Sequence, residues 1–252
     1  MLQIGNELNL DWDCSCSAEA PACLGLEQMA AEVAHFSRDA LASLRSLPNV
    51  LVAPTPIAPM GPRASRPCCP ASSCPAHSDV SVTNLEFMPL MREAVPTLWD
   101  AADWLSSHSY PCADPGCGLN HSLPGGGWNA AFDLAIPWLT NYRREVAIAR
   151  PGGGATQPAL PVIVTETGWC LDAPATQQLR AEWTVRAYKE LWLPDAAKGA
   201  LLAVAPFLLQ GQAWLQKGWP WIAGDGKTRF PVFNATRALR CQVVGGSDCR
   251  ES

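Results

Sequence analysis

The feature that most constrains the fold of this chain is a short apolar run that ends in a carboxylate. Val162–Val164 is a β-branched run without polar alternation, and Glu166 and Gly168 follow it closely. Such a run predicts a strand that is buried on both faces, as in a parallel sheet. The ligand sites of parallel sheets lie at the carboxyl ends of the strands. We therefore predict that Glu166 lies at a functional edge of the sheet.

A second short apolar run, at the start of the sequence, ends in the same way. Leu2–Gly5 leads into Asn6 and Glu7, about 160 positions before Glu166. A pair of catalytic carboxylates on one barrel face requires two Glu residues at the ends of two parallel strands. The pattern therefore predicts that Glu7 and Glu166 lie on one rim.

Strand-like runs alternate with helical patterns along the rest of the chain. Helices are predicted over 26–47, 84–103, 129–147, 175–193 and 234–239, and further buried strands over 50–53, 104–108 and 200–209. The helix over 175–193 is expected to stop at Pro194, and Pro137 is expected to break the one before it. The alternation indicates an α/β fold of the parallel (β/α) barrel type with right-handed crossovers. We predict a single domain over 1–252, with a Pro- and Cys-rich insertion at about 54–78.

Composition narrows the class of protein and its compartment. A chain of 252 residues with 48% hydrophobic and 16% charged residues can bury a large core. The net charge of −5 gives no electrostatic case for nucleic acid or an anionic membrane, and no apolar run is long enough to cross a bilayer. Eleven cysteines and the sequons at Asn120 and Asn234 favour an extracellular or secretory-pathway protein.

Three motifs at predicted strand ends resemble those of one enzyme group. The pair Asn6-Glu7, the triplet His108–Tyr110 and the segment Thr165–Trp169 are similar to the fourth, sixth and seventh strand ends of clan A glycoside hydrolases. These are retaining (β/α)8-barrel enzymes that include the cellulase-like families. The resemblance covers the motif-bearing strands and, more loosely, 1–239. It implies hydrolysis of a β-linked oligo- or polysaccharide without a metal or an organic cofactor.

The resemblance also assigns roles to individual residues. It implies that Glu166 is the nucleophile and Glu7 the acid/base, with carboxyl groups about 5–5.5 Å apart. Asn6 is expected to bind the sugar 2-hydroxyl, although a turn residue after a strand is the simpler alternative. His108 or Tyr110 could hold Glu166 ionised and oriented.

Aromatic side chains are further candidates for substrate contact. Trp169 and Trp214 could stack on sugar rings, with Trp12 a weaker candidate. For each of these tryptophans, packing in the core is a comparable alternative.

The likeness begins at the fourth strand, so three β/α units of the barrel are not found in the sequence. We expect that Met1 is not the biological start and that a signal peptide and these units precede it. The alternative is a short protein that closes its sheet by association. A second function also remains open, namely a non-catalytic carbohydrate-binding or interaction protein derived from the same fold.

The cysteines allow several interpretations. Cys68, Cys69, Cys74 and His77 could form a zinc site, since thiolate and imidazole ligands suit this ion. Disulfides are the simpler interpretation. The candidate pairs are Cys112 with Cys117, Cys241 with Cys249, and pairs among Cys14, Cys16 and Cys23. A nucleophilic Cys170 is a further alternative.

Overall fold

The computed structural model describes residues 1–9, 25–62, 81–111, 130–151, 159–171, 174–211 and 218–245. The chain divides into two compact units. The first comprises Met1–Ser109 and Asn141–Thr165, and the second Tyr110–Thr140 and Glu166–Ser252. The prediction of one domain over 1–252 stays a prediction.

Strands and helices alternate along most of the chain. In order they are β1 (Leu2–Gln3), α1 (Leu26–Leu44), β2 (Val52–Ala53), β3 (Met60–Pro62), β4 (Ser81–Thr83), α2 (Asn84–Ala94), a 3-10 turn (Leu98–Ala101), β5 (Leu105–His108), α3 (Phe132–Leu139), α4 (Tyr142–Ala149), β6 (Val162–Thr167), α5 (Pro174–Ala187), a π-helical segment (Tyr188–Trp192), α6 (Leu193–Ala197), β7 (Leu201–Pro206) and α7 (Pro231–Val244). The fold is therefore a parallel-strand α/β structure, as predicted. The strands described do not close into a barrel.

Backbone and side-chain hydrogen bonds link the strands of the first unit. β1 and β2 pair in parallel, and Asp103, just before β5, donates its backbone N–H to Val52 O at 2.9 Å. Side chains from strands that are not neighbours also meet, because Ser106 Oγ donates to Gln3 Oε1 at 2.7 Å. The same hydroxyl lies 2.7 Å from Thr165 Oγ1 of β6. Inward side chains from alternate strands meet in this way inside a (β/α) barrel.

Helices α1, α2 and α4 cover this sheet. The apolar stripe of α1 is buried through Met29, Val33 and Leu41, as its helical spacing predicts. A capping box fixes the start of α2, since Glu86 Oε2 accepts the Thr83 N–H at 2.9 Å. The predicted helix over 84–103 ends at Ala94, two residues before Pro96.

The second unit is built around α5 and α7, which pack against each other. The predicted helix end at Pro194 is wrong. The helix passes through the π-helical segment into α6, where Pro194 occupies the first turn. Proline is tolerated there because first-turn N–H groups have no intrahelical acceptor. Trp192 stabilises the junction by donating Nε1–H to Leu139 O at 3.3 Å.

Several predicted burials and boundaries need correction. β6 alternates between buried and half-buried residues, so Ile163 is not fully buried as the unbroken run predicts. β7, predicted to be a buried strand, is largely exposed, with Leu202 50% exposed. Leu201 is the one residue of this strand that is buried.

Residues 54–59, the start of the predicted insertion, are buried, and 63–80 lie outside the described residues, so the insertion stays a prediction. The predicted helix ends differ from the structure. The predicted break near Pro137 falls at Thr140 and Asn141 instead. The last helix, α7, extends well beyond the predicted 234–239. In the described part of the chain, no helix is long and apolar enough to span a bilayer.

Candidate functional site

The turn after β1 has an unusual backbone. Gly5 has φ +69° and Glu7 has φ +49°, which places a non-glycine residue in the left-handed region. A side chain at position 5 would meet Leu8 at 3.1 Å. Both this close contact and the positive φ favour glycine at this position. Glu7 is held in place by its N–H, which donates to Pro56 O at 3.1 Å. Backbone strain of this kind concentrates at functional sites.

The Glu7 carboxylate contacts a buried histidine in the first unit. His108 Nδ1 lies 2.6 Å from Glu7 Oε1, and the side chains are 0% and 13% exposed respectively. His108 stands at the end of β5, next to the turn after β1, which explains how residues 101 positions apart meet. His108 was one of two residues expected to orient Glu166; its hydrogen-bond partner within the first unit is Glu7, and its role toward Glu166 stays a prediction.

A second carboxyl group lies behind His108 in the first unit. Glu145 of α4 is 2% exposed, and burial raises its pKa to about 7. Hydrogen bonding by Ser107 and Asn84 and the charge of His108 lower that pKa in part. Sequence reasoning missed Glu145. The sequence signal was its position three residues after Tyr142, on the same apolar side of the helix.

In the second unit, Glu166 accepts a hydrogen bond from a tyrosine. Tyr110 Oη donates to Glu166 Oε2 at 2.8 Å, as one of the two predicted alternatives requires. The strand continues to Thr167, whose carbonyl accepts the Phe207 N–H at 2.7 Å. Gly168 has φ +133°, and a Cβ there would lie 3.3 Å from Phe207 O. The glycine thus allows the chain to turn beside Phe207.

Trp219 is a candidate site residue that the sequence reasoning missed. Its ring meets the rings of Tyr110 and Phe207 edge-on, at centroid distances of 5.5 Å and 5.6 Å. It is only partly buried, so part of the indole faces solvent beside the Tyr110–Glu166 pair. The signal was the Gly-Trp-Pro-Trp run after the last strand.

The segment that carries Trp219 is fixed by a buried cation. Arg180 is 1% exposed and donates to Gly218 O and, at 2.7 Å, to Pro220 O. Burial lowers the pKa of Arg180 to about 10. Cys170, the alternative nucleophile, interacts electrostatically with this guanidinium.

Trp169 is not available for sugar stacking. It is 1% exposed, stacks on Phe132 at 6.5 Å and contacts Trp183 at 5.8 Å. Its indole N–H donates to Ala130 O at 3.0 Å. The core alternative is therefore correct for Trp169, because the turn at Gly168 directs this side chain inward.

Of the remaining predicted site residues, one is exposed and the others lie outside the part of the chain that the structure describes. Asn6 is exposed in the turn before Glu7, and its sugar contact stays a prediction. Trp12, Trp214, the proposed zinc ligands and the cysteines of the predicted pairs, apart from Cys241, lie outside the described residues. Glu7 and Glu166 belong to different units, so their separation also stays a prediction.

Glu7 and Glu166 each have an oriented hydrogen-bond partner within their own unit. The His108 imidazole lies 2.6 Å from Glu7 Oε1, close enough to share a proton, and the Tyr110 phenol donates to Glu166 Oε2 at 2.8 Å.

Comparison with known proteins supports the fold. The sequence matches no protein-family model and no curated protein. Among solved structures, the chain is similar to a monomeric beta-xylosidase from Caulobacter crescentus CB15, with a TM-score of 0.50 and 16% identity over 97% of this chain and 41% of that one. A GH39 enzyme from Xanthomonas axonopodis pv. citri gives 0.48 and 14%, over 83% of this chain and 36% of that one. The fold is glycoside hydrolase-like, and the chain spans about two fifths of the xylosidase.

Proposed function

We propose that this chain carries the catalytic residues of a retaining β-glycoside hydrolase. Glu166 attacks the anomeric carbon and the leaving oxygen takes a proton from Glu7. Glu7 then deprotonates the water that releases the covalent glycosyl intermediate. The sugar 2-hydroxyl binds Asn6, and no metal or organic cofactor takes part. The substrate is a β-linked glucan, mannan, xylan or related glycan.

The observation that carries this proposal is the hydrogen bond from Tyr110 to Glu166. A nucleophilic carboxylate must be ionised and aimed, and a phenol that donates to one oxygen favours the ionised form. A carboxylate at a strand end that served only solubility would not need a 2.8 Å bond to a tyrosine that is only 8% exposed.

The environment of Glu7 supports the other half of the mechanism. An acid/base must hold a proton, lose it and regain it within one turnover. His108 Nδ1 lies 2.6 Å from Glu7 Oε1 in a site closed to solvent on the histidine side, so the two groups can share a proton. The strained backbone of Glu7 is consistent with a position selected for function.

Compartment and partners follow from the same proposal. We place the protein outside the cell or in the secretory pathway, because the cysteine content suits an oxidising compartment. The partly exposed Trp219 offers an apolar surface for a sugar ring beside Glu166. The alternative function, glycan binding without hydrolysis, would use the same surface.

The proposal is tested by substituting the nucleophile. The wild-type chain, Glu166→Gln and the matched control Glu182→Gln, an exposed glutamate of α5 in the same unit, are assayed on aryl β-glucoside, β-mannoside and β-xyloside. We expect turnover by the wild type and the control, loss of turnover in Glu166→Gln, and a β-anomer as first product by NMR. Wild-type turnover in Glu166→Gln contradicts the assignment. Glycan binding by all three proteins without turnover favours the binding protein.

A further inference from the structure

Asn9 is a fully buried polar residue close to Glu7 that the proposed mechanism does not use. It is 0% exposed and lies two positions beyond Glu7, at the end of the turn after β1. Asparagine is rarely buried to this extent unless hydrogen bonds satisfy its amide. The partners of this amide therefore indicate what the residue does.

The Asn9 amide forms two hydrogen bonds with the backbone of one buried residue. Its Nδ2 donates to Ala58 O at 3.1 Å, and its Oδ1 accepts the Ala58 N–H at 2.8 Å. Ala58 is 2% exposed, so both of its backbone groups need a partner inside the protein. A planar side-chain amide carries a donor and an acceptor, as the backbone does. Asn9 thus pairs with Ala58 as a neighbouring strand would.

These bonds continue the parallel alignment of β1 with β2 beyond both strand ends. The Glu7 N–H donates to Pro56 O at 3.1 Å. Glu7 and Pro56 are 49 positions apart, as are Asn9 and Ala58. The turn therefore lies alongside 54–59 in constant register, and all of that segment is buried. The segment gives the turn a fixed support inside the first unit.

The backbone of the turn needs such a support. Glu7 has φ +49°, a left-handed conformation that is unfavourable for a residue with a side chain. The turn is also closed on itself, because the Leu8 side chain occupies the space that a Cβ of Gly5 would need. A conformation of this kind persists only where the surrounding structure fixes it. The bond to Pro56 fixes the turn at Glu7, and the Asn9 amide fixes its end.

The direction of the Glu7 side chain depends on this backbone. Glu7 Oε1 lies 2.6 Å from His108 Nδ1, and the Glu7 side chain is 13% exposed. The His108 side chain, on β5, is 0% exposed, so it cannot follow a carboxylate that moves away. A turn that loosened at Asn9 would therefore change the contact between the two side chains.

We propose that Asn9 is a positioning residue that sets the direction of the Glu7 carboxylate by fixing the end of its turn to Ala58. The inference rests on the proposed function of Glu7 as acid/base. An acid/base must lie within hydrogen-bond reach of the leaving oxygen, and a displacement of about 1 Å costs about 100-fold in rate. The alternative, that Asn9 only satisfies the backbone of Ala58, predicts a loss of stability without a specific loss of proton transfer.

The first test follows the contact between Glu7 and His108 and does not need activity. The chain has four histidines, so the ring nitrogen signals of His108 are assigned in the NMR spectrum by their loss in His108→Gln. The Nδ1 shift is then compared in the wild type and Asn9→Ala, with Glu7→Ala as the reference for a ring without its carboxylate. We expect the Nδ1 shift of Asn9→Ala to move toward that of Glu7→Ala. An unchanged Nδ1 shift in folded Asn9→Ala overturns the proposal.

The matched control is Leu41→Ala. Leu41 of α1 is 0% exposed in the same unit, so its truncation destabilises the unit without removing a hydrogen bond of the turn. We expect Leu41→Ala to keep the wild-type Nδ1 shift of His108. Equal changes of this shift in Leu41→Ala and Asn9→Ala would mean that loss of stability alone moves the contact, and they overturn the proposal.

A second readout ties the inference to catalysis. A leaving group that departs readily needs no proton, so a misplaced acid slows hydrolysis of a phenyl glycoside far more than that of a dinitrophenyl glycoside. With the sugar that the wild type hydrolyses, we expect kcat/KM of Asn9→Ala to fall about 10- to 100-fold more on the phenyl glycoside. Leu41→Ala should change both values by one common factor. A common factor in Asn9→Ala overturns the proposal.

A conservative variant and the wild type complete the test. Asn9→Gln keeps the amide, so it should show the same selective loss to a smaller extent, and it supplies both readouts should Asn9→Ala not fold. A moved Nδ1 shift in a chain that hydrolyses no glycoside keeps the positioning of Glu7 and refutes the proposed function. Turnover by the wild type with an unchanged Nδ1 shift in the Asn9 variants refutes this inference and keeps the proposed function.

Discussion

Tyr110 donates its phenolic proton to Glu166 over 2.8 Å, and the two residues are brought together from positions 56 apart. Tyr110 is only 8% exposed, and its ring is held edge-on against Trp219. The hydroxyl therefore cannot swing away from the carboxylate without loss of ring packing. The bond is a fixed feature of the second unit, and it orients the Glu166 carboxylate.

Tyr110→Phe removes this donor and keeps the ring. Hydrogen bonds to charged groups contribute about 1.5–3 kcal/mol, so we expect kcat/KM to fall by about 10- to 100-fold with little change in the free energy of unfolding. The matched control is Tyr188→Phe, whose ring packs edge-on against Trp192 in the same unit at 4.8 Å. Equal kinetics for Tyr110→Phe and wild type would show that the bond does not serve catalysis.

The buried Glu145 predicts a pH dependence of stability. Its pKa in the folded chain is about 7, above the ordinary value of 4.5. A raised carboxyl pKa contributes stability that is fully present below the unfolded pKa and is lost as pH rises through the folded one. The free energy of unfolding should therefore fall by on the order of 3 kcal/mol between pH 4.5 and pH 8.

Urea denaturation across this pH range checks the prediction, with Glu145→Gln as the comparison. The glutamine variant should lose most of the decline, because its side chain does not titrate. A decline of equal size in both proteins would assign the pH dependence to other groups. The exposed Glu93→Gln should behave like the wild type.

The two described tryptophans near Glu166 should respond differently to truncation. Trp169 is buried against Phe132 and Trp183, so Trp169→Ala should cost about 3–5 kcal/mol of unfolding free energy. Trp219 is partly exposed, so Trp219→Ala should cost less stability and weaken glycan binding more. Paired urea denaturation and glycan titration test this contrast. A greater stability loss for Trp219→Ala would contradict it.

The sequence predicted most of the strands and helices in their order, though not the antiparallel pair β3 and β4, because periodicity and proline positions report local structure. Runs such as Val162–Val164 and the stripe of α1 identify their elements without tertiary information. The exposure of β7 could not be predicted in this way, because an apolar run does not reveal whether another element covers it. The helix end predicted at Pro194 was wrong for a related reason. Pro194 lies in the first turn of α6 only because the preceding π-helical segment interrupts the helix, and the sequence does not reveal that segment.

The candidate site was predictable only in part. Glu7, Glu166, His108 and Tyr110 are recognisable because they end strands, and strand ends meet at one edge. The pairing of His108 with Glu7 depends on the backbone turn at Gly5 and Glu7. The left-handed conformation of Glu7 in that turn could not be predicted from the sequence. Glu145 lies on a helix without a motif, and its importance comes from burial alone.

Arg180 provides the last prediction, because it fixes the segment that carries Trp219. Its guanidinium donates to the carbonyls of Gly218 and Pro220, and it lies 5.9 Å from the Phe230 ring centroid. Lysine has a single ammonium group and cannot span two carbonyls in this planar geometry. We expect Arg180→Lys to lower the free energy of unfolding by about 2–3 kcal/mol, whereas the exposed Arg240→Lys of α7 should have no measurable effect.

Because Trp219 depends on this segment, Arg180→Lys should also weaken glycan binding under conditions where it remains folded. Unchanged stability in Arg180→Lys would mean that another group holds the turn.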